Sequence, residues 1–163
     1  MLLPQLNWQA PEKQKALQQY CYATPIGLLA VQMQGNLLCQ LQWLLTPEHA
    51  AENKELPIEL EQQFKQYWLT AKTSPKIPLL QQGTEFQQKV WRALCLIPIG
   101  QTTSYGELAQ KLDTAPRALA NACRKNPFPL IIPCHRVIAA GAKMGGFSAP
   151  NGVRLKEQML AME

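Results

Sequence analysis

Proline stiffens the short apolar stretch from Asn126 to Val137 and stops any helix that leads into it. The stretch begins Asn-Pro-Phe-Pro, ends Ile-Pro-Cys-His-Arg-Val, and carries Cys134 directly before one of the chain's two histidines. Apolar surroundings raise the pKa of a thiol, so a reactive thiolate here needs a nearby base or positive charge. His135 and Arg136 could supply both. An isolated cysteine in such a run would be structural, but this pattern is far more specific.

Composition limits the class of protein. The 163 residues are 47% hydrophobic, enough for a core in one domain or two small ones. No stretch approaches the roughly 20 apolar residues of a membrane helix, and the N-terminus lacks the features of a signal peptide. Five cysteines form an odd set without a C-x-x-C pair, and two histidines give little support for zinc. We therefore expect a cytoplasmic protein without a membrane anchor or a metal.

Positive charge is concentrated in the second half. Residues 1–83 carry six lysines and six glutamates, whereas residues 84–163 carry ten basic and five acidic residues. The whole net charge of +5 therefore lies after residue 83. This asymmetry favours an anionic partner, but an ordinary solvated surface would have the same charge.

The first half is predicted to form a small sheet and a helix. Residues 28–33 and 37–43 form two strands around a Gly-Asn turn, which is typical of a hairpin. Residues 57–72 place Ile58, Leu60, Phe64, Trp68 and Leu69 at helical spacing. Residues 73–78 are the predicted linker, which divides the chain into a first domain, 1–78, and a second, 79–163.

The second half is predicted to be mainly helical. One helix starts at Thr84-Glu85-Phe86, and the capping box from Ser104 to Glu107 starts another. Pro116 suits the first turn of a third helix through Lys125. Two short helices joined by a tight turn, the second of them basic, suggest a helix-turn-helix motif. A helical hairpin used only for packing would give the same pattern.

These motifs have the order and spacing of a known family. Residues 84–163 resemble the C-terminal region of the O6-alkylguanine-DNA alkyltransferases. The resemblance implies an α/β fold, with a small N-terminal ribonuclease-H-like sheet domain and a C-terminal helical, winged-helix-like DNA-binding domain. The motifs that carry it are residues 84–91, 97–105, 117–119, 126–127, 132–137 and 145–148.

The family resemblance implies a repair reaction on double-stranded DNA. Cys134 would accept an alkyl group from O6-alkylguanine after base flipping, with O4-alkylthymine as a further candidate substrate. A thioether is a poor leaving group and no second nucleophile is evident, so each molecule should react once. We also expect a monomer that needs no cofactor. A non-catalytic damage-recognition protein on the same scaffold is the alternative, although such relatives lack the cysteine. A Cys-His hydrolase would need a distant histidine, and only His49 is available.

The resemblance also implies individual roles. Adjacent side chains on an extended segment point apart, so a water should join Cys134 to His135, with Glu163 behind the imidazole. Tyr105 would bond to guanine N3, Asn126 would tie the helices to the active-site segment, and Arg117 would fill the vacated stack. The other expected DNA contacts are Ser104, Pro116, Ala118, Ala122 and Arg124, and the expected pocket residues are Cys123, Pro129, Val137, Gly145, Gly146, Phe147 and Ser148.

Two features depart from the family pattern. Phe147 stands where the family often has tyrosine, so a phenolic hydrogen bond is lost while stacking remains. The segment 149–152 is longer than the glycine pair that is usual in the family. This difference affects the opening of the pocket and the size of the alkyl group that it accepts.

Overall fold

The computed structural model describes residues 6–46, 55–70 and 74–163. Within these ranges the chain is a mixed α/β protein with a five-stranded sheet, a two-stranded sheet and five α-helices. No helix among them combines the length and apolar character needed to cross a bilayer. His49, expected to be solvated, lies outside the described residues.

The larger sheet is built around the predicted hairpin. Its strands follow the spatial order β1-β5-β4-β3-β2, with β2, β3 and β4 antiparallel and β5 parallel to both neighbours. Gly35 makes the β3–β4 turn at φ +61°, a conformation that glycine adopts without strain. The prediction of a hairpin is confirmed. The strands are β1 (Trp8–Gln9), β2 (Leu17–Thr24), β3 (Gly27–Gln34), β4 (Leu37–Leu44) and β5 (Leu79–Leu80).

Helix α1, Ile58–Thr70, forms where the sequence predicted it, but its buried face differs in part. Leu60 and Phe64 are buried as expected, together with Tyr67. Ile58 and Leu69 are 72% and 82% exposed, so including them in the apolar face was wrong. They are eleven residues apart and so share a side of the helix that points away from Phe64.

The predicted linker leads back into the sheet. Residues 74–78 are irregular, and Ile77 is buried. Strand β5 follows directly and pairs with β1 and with Leu38 of β4. A division after residue 78 therefore assigns the last strand of the first sheet to the second part of the chain.

The second half contains the predicted helices and the two-stranded sheet. Thr84 and Ser104 cap α2 and α3, each in a complete capping box, and Pro116 occupies the first turn of α4. Helix α4 packs against both α2 and α3. The elements are α2 (Glu85–Leu94), β6 (Thr103–Ser104), α3 (Tyr105–Lys111), α4 (Pro116–Arg124), β7 (Val137–Ile138) and α5 (Gly152–Met162), with β6 parallel to β7.

One hydrophobic core joins the two halves. The ring of Trp8 lies 6.2 Å from that of Trp91 and 6.0 Å from that of Phe128, measured between centroids. The N–H of Leu41 in β4 donates to the carbonyl of Pro127 over 2.8 Å. The sheet is thus attached directly to the segment that leads into Cys134.

Candidate active site

Cys134 lies in a short 3-10 turn, Cys134–Arg136, between a buried irregular segment and β7. The expectation of an extended segment was wrong at these three residues. The N–H of Val137 closes the turn on the carbonyl of Cys134, which an extended chain could not do. The Cys134 side chain is buried, with 7% of the residue exposed.

Asn126 connects the end of α4 to the cysteine. Its Nδ2 donates to the carbonyl of Ile132 at 2.8 Å and lies 3.2 Å from Sγ of Cys134. Its Oδ1 accepts from the N–H of Phe128 at 2.9 Å. One side chain therefore fixes the turn after α4 and stabilises negative charge on the sulfur.

Glu163 forms the centre of a buried ionic cluster behind the turn. Its Oε1 lies 2.8 Å from Nε2 of His135, and both of its oxygens accept from Arg136, at 2.9 and 3.0 Å. The N–H of Gly100 and the hydroxyl of Tyr67 also donate to it, at 3.3 and 3.4 Å. Burial favours the neutral acid, but the bonds from His135 and Arg136 outweigh it and lower the Glu163 pKa to about 2.

His135 is fully buried, and burial lowers its pKa in spite of the Glu163 carboxylate. The imidazole is therefore neutral at pH 7, with Nε2–H donating to Glu163. Its Nδ1 has no hydrogen-bond partner among the described residues. That nitrogen is then a buried acceptor available to take a proton.

Lys156 is the functional candidate that sequence reasoning missed. Its Nζ is fully buried and donates to the carbonyls of Val137 and Met144, each at 2.6 Å. Burial raises the pKa of Cys134, while the bond from Asn126 and the charge of Lys156 oppose that rise. Lys156 lies four residues after Gly152 and three before Met159, on a face of α5 where the helical spacing predicts an apolar residue. A lysine at such a position was the signal that sequence reasoning could have used.

Arg136, expected as the cation beside the thiol, has other partners. Besides its bonds to Glu163, its Nη1 donates to the carbonyl of Ile97 at 2.7 Å. Its charge supports the carboxylate behind His135, so the structure assigns the role of cation near the sulfur to Lys156 instead.

Two cavities meet at Cys134. The smaller, the Tyr105 cavity, has a volume of about 100 Å³ and the larger, the β4 cavity, about 220 Å³. Burial raises the pKa of Tyr105 to about 12, so its hydroxyl remains a donor. Of the expected pocket residues, Cys123, Phe147 and Ser148 line both cavities, Gly146 the smaller and Pro129 the larger.

Val137 and Gly145 do not line either cavity. Val137 is fully buried and offers its carbonyl to Lys156. Gly145 adopts φ +67°, and a Cβ there would lie 3.5 Å from the Tyr105 ring, so this glycine lies close to the tyrosine. The walls of these two cavities therefore do not include the two residues, which the resemblance placed in the pocket.

Helix α4 presents a basic surface beside the Tyr105 cavity. Pro116, Arg117, Arg124 and Lys125 are exposed, while Ser104 and Ala118 are half-buried. Arg124 also lines both cavities, so this helix contributes a cation to the walls beside Cys134.

Ala122 does not belong to this surface. It is 2% exposed, and its carbonyl accepts from the indole N–H of Trp91 at 2.9 Å. The expected DNA contact at this position was wrong because the residue lies on the face of α4 that packs on α2.

The chain is similar to known proteins. Residues 85–163 match the family model for the 6-O-methylguanine DNA methyltransferase DNA-binding domain. A methylated-DNA–protein-cysteine methyltransferase of Methanosarcina mazei is 40% identical over 72% of this chain and 74% of its own length. Its counterpart in Methanosarcina acetivorans is 37% identical over 87% of this chain and 95% of its own.

A solved structure extends the likeness to the whole fold. The Mycobacterium tuberculosis OGT in complex with DNA superposes with a TM-score of 0.76 and 34% identity, covering 88% of this chain and 91% of that one. Similarity at this level, over both halves, shows common descent and not fold alone. This chain belongs to the 6-O-methylguanine DNA methyltransferase family.

Proposed function

We propose that this chain repairs DNA by transferring the alkyl group of O6-alkylguanine to Sγ of its own Cys134. The activity is that of a methylated-DNA–protein-cysteine methyltransferase, and DNA is its partner. One observation carries the assignment to Cys134: the sulfur lies where two cavities meet, beside an exposed basic helix, and is held by Asn126. The geometry supplies each element that a displacement at carbon requires.

The first step is activation of the thiol. The unpartnered Nδ1 of His135 takes the Cys134 proton through a bridging water, because no direct hydrogen bond joins this nitrogen to the sulfur. Glu163, itself bound by Arg136, holds the other side of the ring, and its carboxylate stabilises the imidazolium that forms. Asn126 and Lys156 stabilise the thiolate, which burial alone would disfavour.

Displacement then occurs at the alkyl carbon. The sulfur attacks that carbon, a C–S bond forms, the C–O6 bond breaks, and its electron pair moves onto the guanine. Tyr105, which stays protonated because burial raises its pKa, donates a hydrogen bond to guanine N3 and so stabilises the departing base.

The target base must leave the duplex to reach a buried sulfur. In our proposal the exposed Arg117, at the start of α4, occupies the vacated stack, and Arg124 binds backbone phosphate at the mouth of the pocket. Ser104 and Ala118 lie at the starts of α3 and α4, where backbone N–H groups can donate to phosphate, and Pro116 can contact the DNA through its ring. These roles rest on exposure and on position beside the cavity.

The reaction is stoichiometric and irreversible, because the thioether product has no route back to the thiol. We propose that the protein acts as a monomer in the cytoplasm, where the thiol stays reduced. O4-alkylthymine remains a second candidate substrate, since it presents the same alkyl–oxygen bond.

The decisive experiment mixes the protein with a duplex containing one O6-methylguanine. Peptide mass spectrometry should find one added methyl group on the Cys134 peptide, in a one-to-one ratio with repaired DNA. Cys134→Ala should abolish transfer while retaining duplex binding, with Cys21→Ala as a matched control that transfers normally. Methyl on another residue, continued transfer by Cys134→Ala, or tight binding without transfer by the wild type would contradict the proposal, and the last would favour a damage-recognition protein.

A further inference from the structure

Tyr67 brings a buried hydroxyl from the first half of the chain to the Glu163 carboxylate. It lies on α1, 96 residues before Glu163, and is only 3% exposed. Burial and the adjacent carboxylate both raise the Tyr67 pKa, so the hydroxyl keeps its proton at neutral and acidic pH. Because Glu163 is ionised and can only accept, the Tyr67 Oη is the donor in its 3.4 Å contact with Oε1.

The oxygen that Tyr67 contacts is the one that holds the imidazole. Oε1 of Glu163 also lies 2.8 Å from Nε2 of His135 and accepts from Nη2 of Arg136 at 2.9 Å. The Glu163 side chain is fully buried, so charge on this oxygen is screened less than it would be in water. A third donor stabilises that charge, and so makes Oε1 a weaker acceptor for the His135 N–H.

The protonation of His135 depends on a balance between opposing effects. Burial has the largest effect and lowers its pKa, the Glu163 carboxylate raises it, and the charges of Arg136 and Lys156 lower it. The thiol of Cys95, which interacts with the charge of Arg136, stays neutral because burial raises its pKa to about 12. A hydroxyl bound to the carboxylate weakens the effect of that carboxylate. It therefore shifts the balance towards the neutral imidazole, which is the form that can accept a proton.

We propose that Tyr67 is a positioning residue for the transfer reaction, which holds Oε1 of Glu163 and so keeps His135 available as the base for Cys134 under mildly acidic conditions. This inference rests on the proposed function, since His135 has this task only if Cys134 is the alkyl acceptor. It gives the first half of the chain a part in activating the thiol. Helix α1 supplies the hydroxyl, while the thiol, the base and the carboxylate all belong to the second half.

The test compares the pH dependence of Cys134 reactivity in the wild type and in Tyr67→Phe, which keeps the ring and removes the hydroxyl. Alkylation of Cys134 by iodoacetamide, followed by peptide mass spectrometry, should lose rate on the acid side at a pH about half a unit higher in the variant. At a fixed pH on that side the variant should be about threefold slower, and the two profiles should converge under alkaline conditions. Tyr20→Phe is the matched control, because it removes a buried hydroxyl whose partner is Gln18.

A direct titration tests the cause of this shift. The chain has two histidines, so a His49→Gln background leaves only the His135 ring signals to follow by NMR. In that background Tyr67→Phe should move the midpoint of the His135 titration to higher pH, again by about half a unit. When Glu163→Gln is added to the background, Tyr67→Phe should cause no shift, since the charge through which the hydroxyl acts is then absent.

The outcomes separate this role from packing alone. A tyrosine that only packs would, when replaced, lower the free energy of unfolding in urea and slow alkylation equally at every pH. That result would overturn the inference, as would an unchanged His135 midpoint, an equal shift in Tyr20→Phe, or the same shift in the Glu163→Gln background. Failure of the wild type to transfer methyl from O6-methylguanine to Cys134 would instead refute the proposed function, and it would leave the His135 titration unaffected.

Discussion

At the scale of single residues, the reactivity of Cys134 depends on two opposing effects. Burial disfavours the thiolate, whereas Asn126 and Lys156 favour it. The Asn126 contact is direct, at 3.2 Å, and the Lys156 charge acts from a fully buried position, where charges are screened less than in water. Lys156 acts on the sulfur through its charge alone, since its hydrogen bonds go to the carbonyls of Val137 and Met144.

Lys156→Met should make transfer slower and more dependent on alkaline pH. Without the cation the pKa of the Cys134 thiol rises, so a smaller thiolate fraction is present at neutral pH. We expect roughly a tenfold loss of rate at pH 7, the order of an interaction with one nearby charge, with partial recovery as the pH rises. The measurement is the pH profile of Cys134 alkylation by iodoacetamide, with the exposed Lys143→Met as control. Superimposable profiles would exclude Lys156 from thiol activation.

Glu163 should make the fold sensitive to acid. Its folded pKa of about 2 lies below the ordinary value of 4.5, so its ionised form stabilises the fold fully above pH 4.5. This contribution is lost as the pH falls from 4.5 towards 2. Glu163→Gln should cost about 3 kcal/mol at pH 7, because Arg136 loses its buried partner. The loss of unfolding free energy caused by Glu163→Gln should become smaller as the pH falls from 4.5 towards 2.

Urea unfolding at pH 7, 5 and 3 measures this difference. Glu157→Gln, an exposed position on the same helix, is the control and should change the free energy of unfolding little at any pH. A Glu163→Gln cost that stays constant from pH 7 to pH 3 would mean that the carboxylate contributes no acid-sensitive stability.

At the scale of elements, helix α4 has two different faces. Leu119, Ala122 and Cys123 are buried against the rest of the second half, and Arg117 and Arg124 remain exposed. Pro116 starts the helix without an unsatisfied N–H, and Asn126 links its far end to the cysteine segment. DNA docking and the position of the sulfur are thereby connected through one short helix.

Arg117→Ala should impair base flipping while leaving the alkyl transfer step almost unchanged. A duplex substrate needs the side chain to fill the stack, whereas free O6-benzylguanine needs only the pocket. We expect repair of duplex to slow by more than about tenfold, since the unstacking cost is no longer offset, and the reaction with the free base to change little. Single-turnover kinetics with both substrates measure this, with the exposed Arg154→Ala on α5 as control. Equal slowing of both reactions would contradict the stack-filling role.

At the scale of the whole molecule, the two halves work as one unit. The sheet contributes Trp43 to a cavity wall, and α1 contributes the Tyr67 hydroxyl to the Glu163 cluster. The charge, by contrast, belongs to the second half alone, where all of the net +5 resides. DNA should therefore approach from the α4 side, away from the neutral sheet.

Binding to undamaged duplex should weaken steeply with salt. If Arg117, Arg124 and Lys125 each neutralise one phosphate, the slope of log affinity against log salt should be about −3. Fluorescence anisotropy with a labelled duplex between 50 and 200 mM salt measures it. The double variant Arg124→Ala/Lys125→Ala should reduce the slope by about two. A slope near zero for the wild type would exclude an electrostatic docking face.

Local signals in the sequence determined much of the secondary structure of this protein. The hairpin, the helix start at Thr84, the capping box of Ser104 and Pro116 at the start of α4 are confirmed, because each depends on residues close together in the chain. The cysteine-histidine motif likewise identified the family, and so the reaction. At these positions a few neighbouring side chains decide the backbone conformation.

The tertiary structure decided which groups meet at the sulfur. Arg136 binds Glu163 and the Ile97 carbonyl, and Lys156, which had no predicted role, is the cation near the sulfur. Ala122 turns inwards, and Trp43 reaches the active-site cavity from a strand some ninety residues earlier in the chain. None of these depends on local sequence alone. Each follows from the packing of the two halves around one core, which determines which side of each element is buried and which groups its side chains contact.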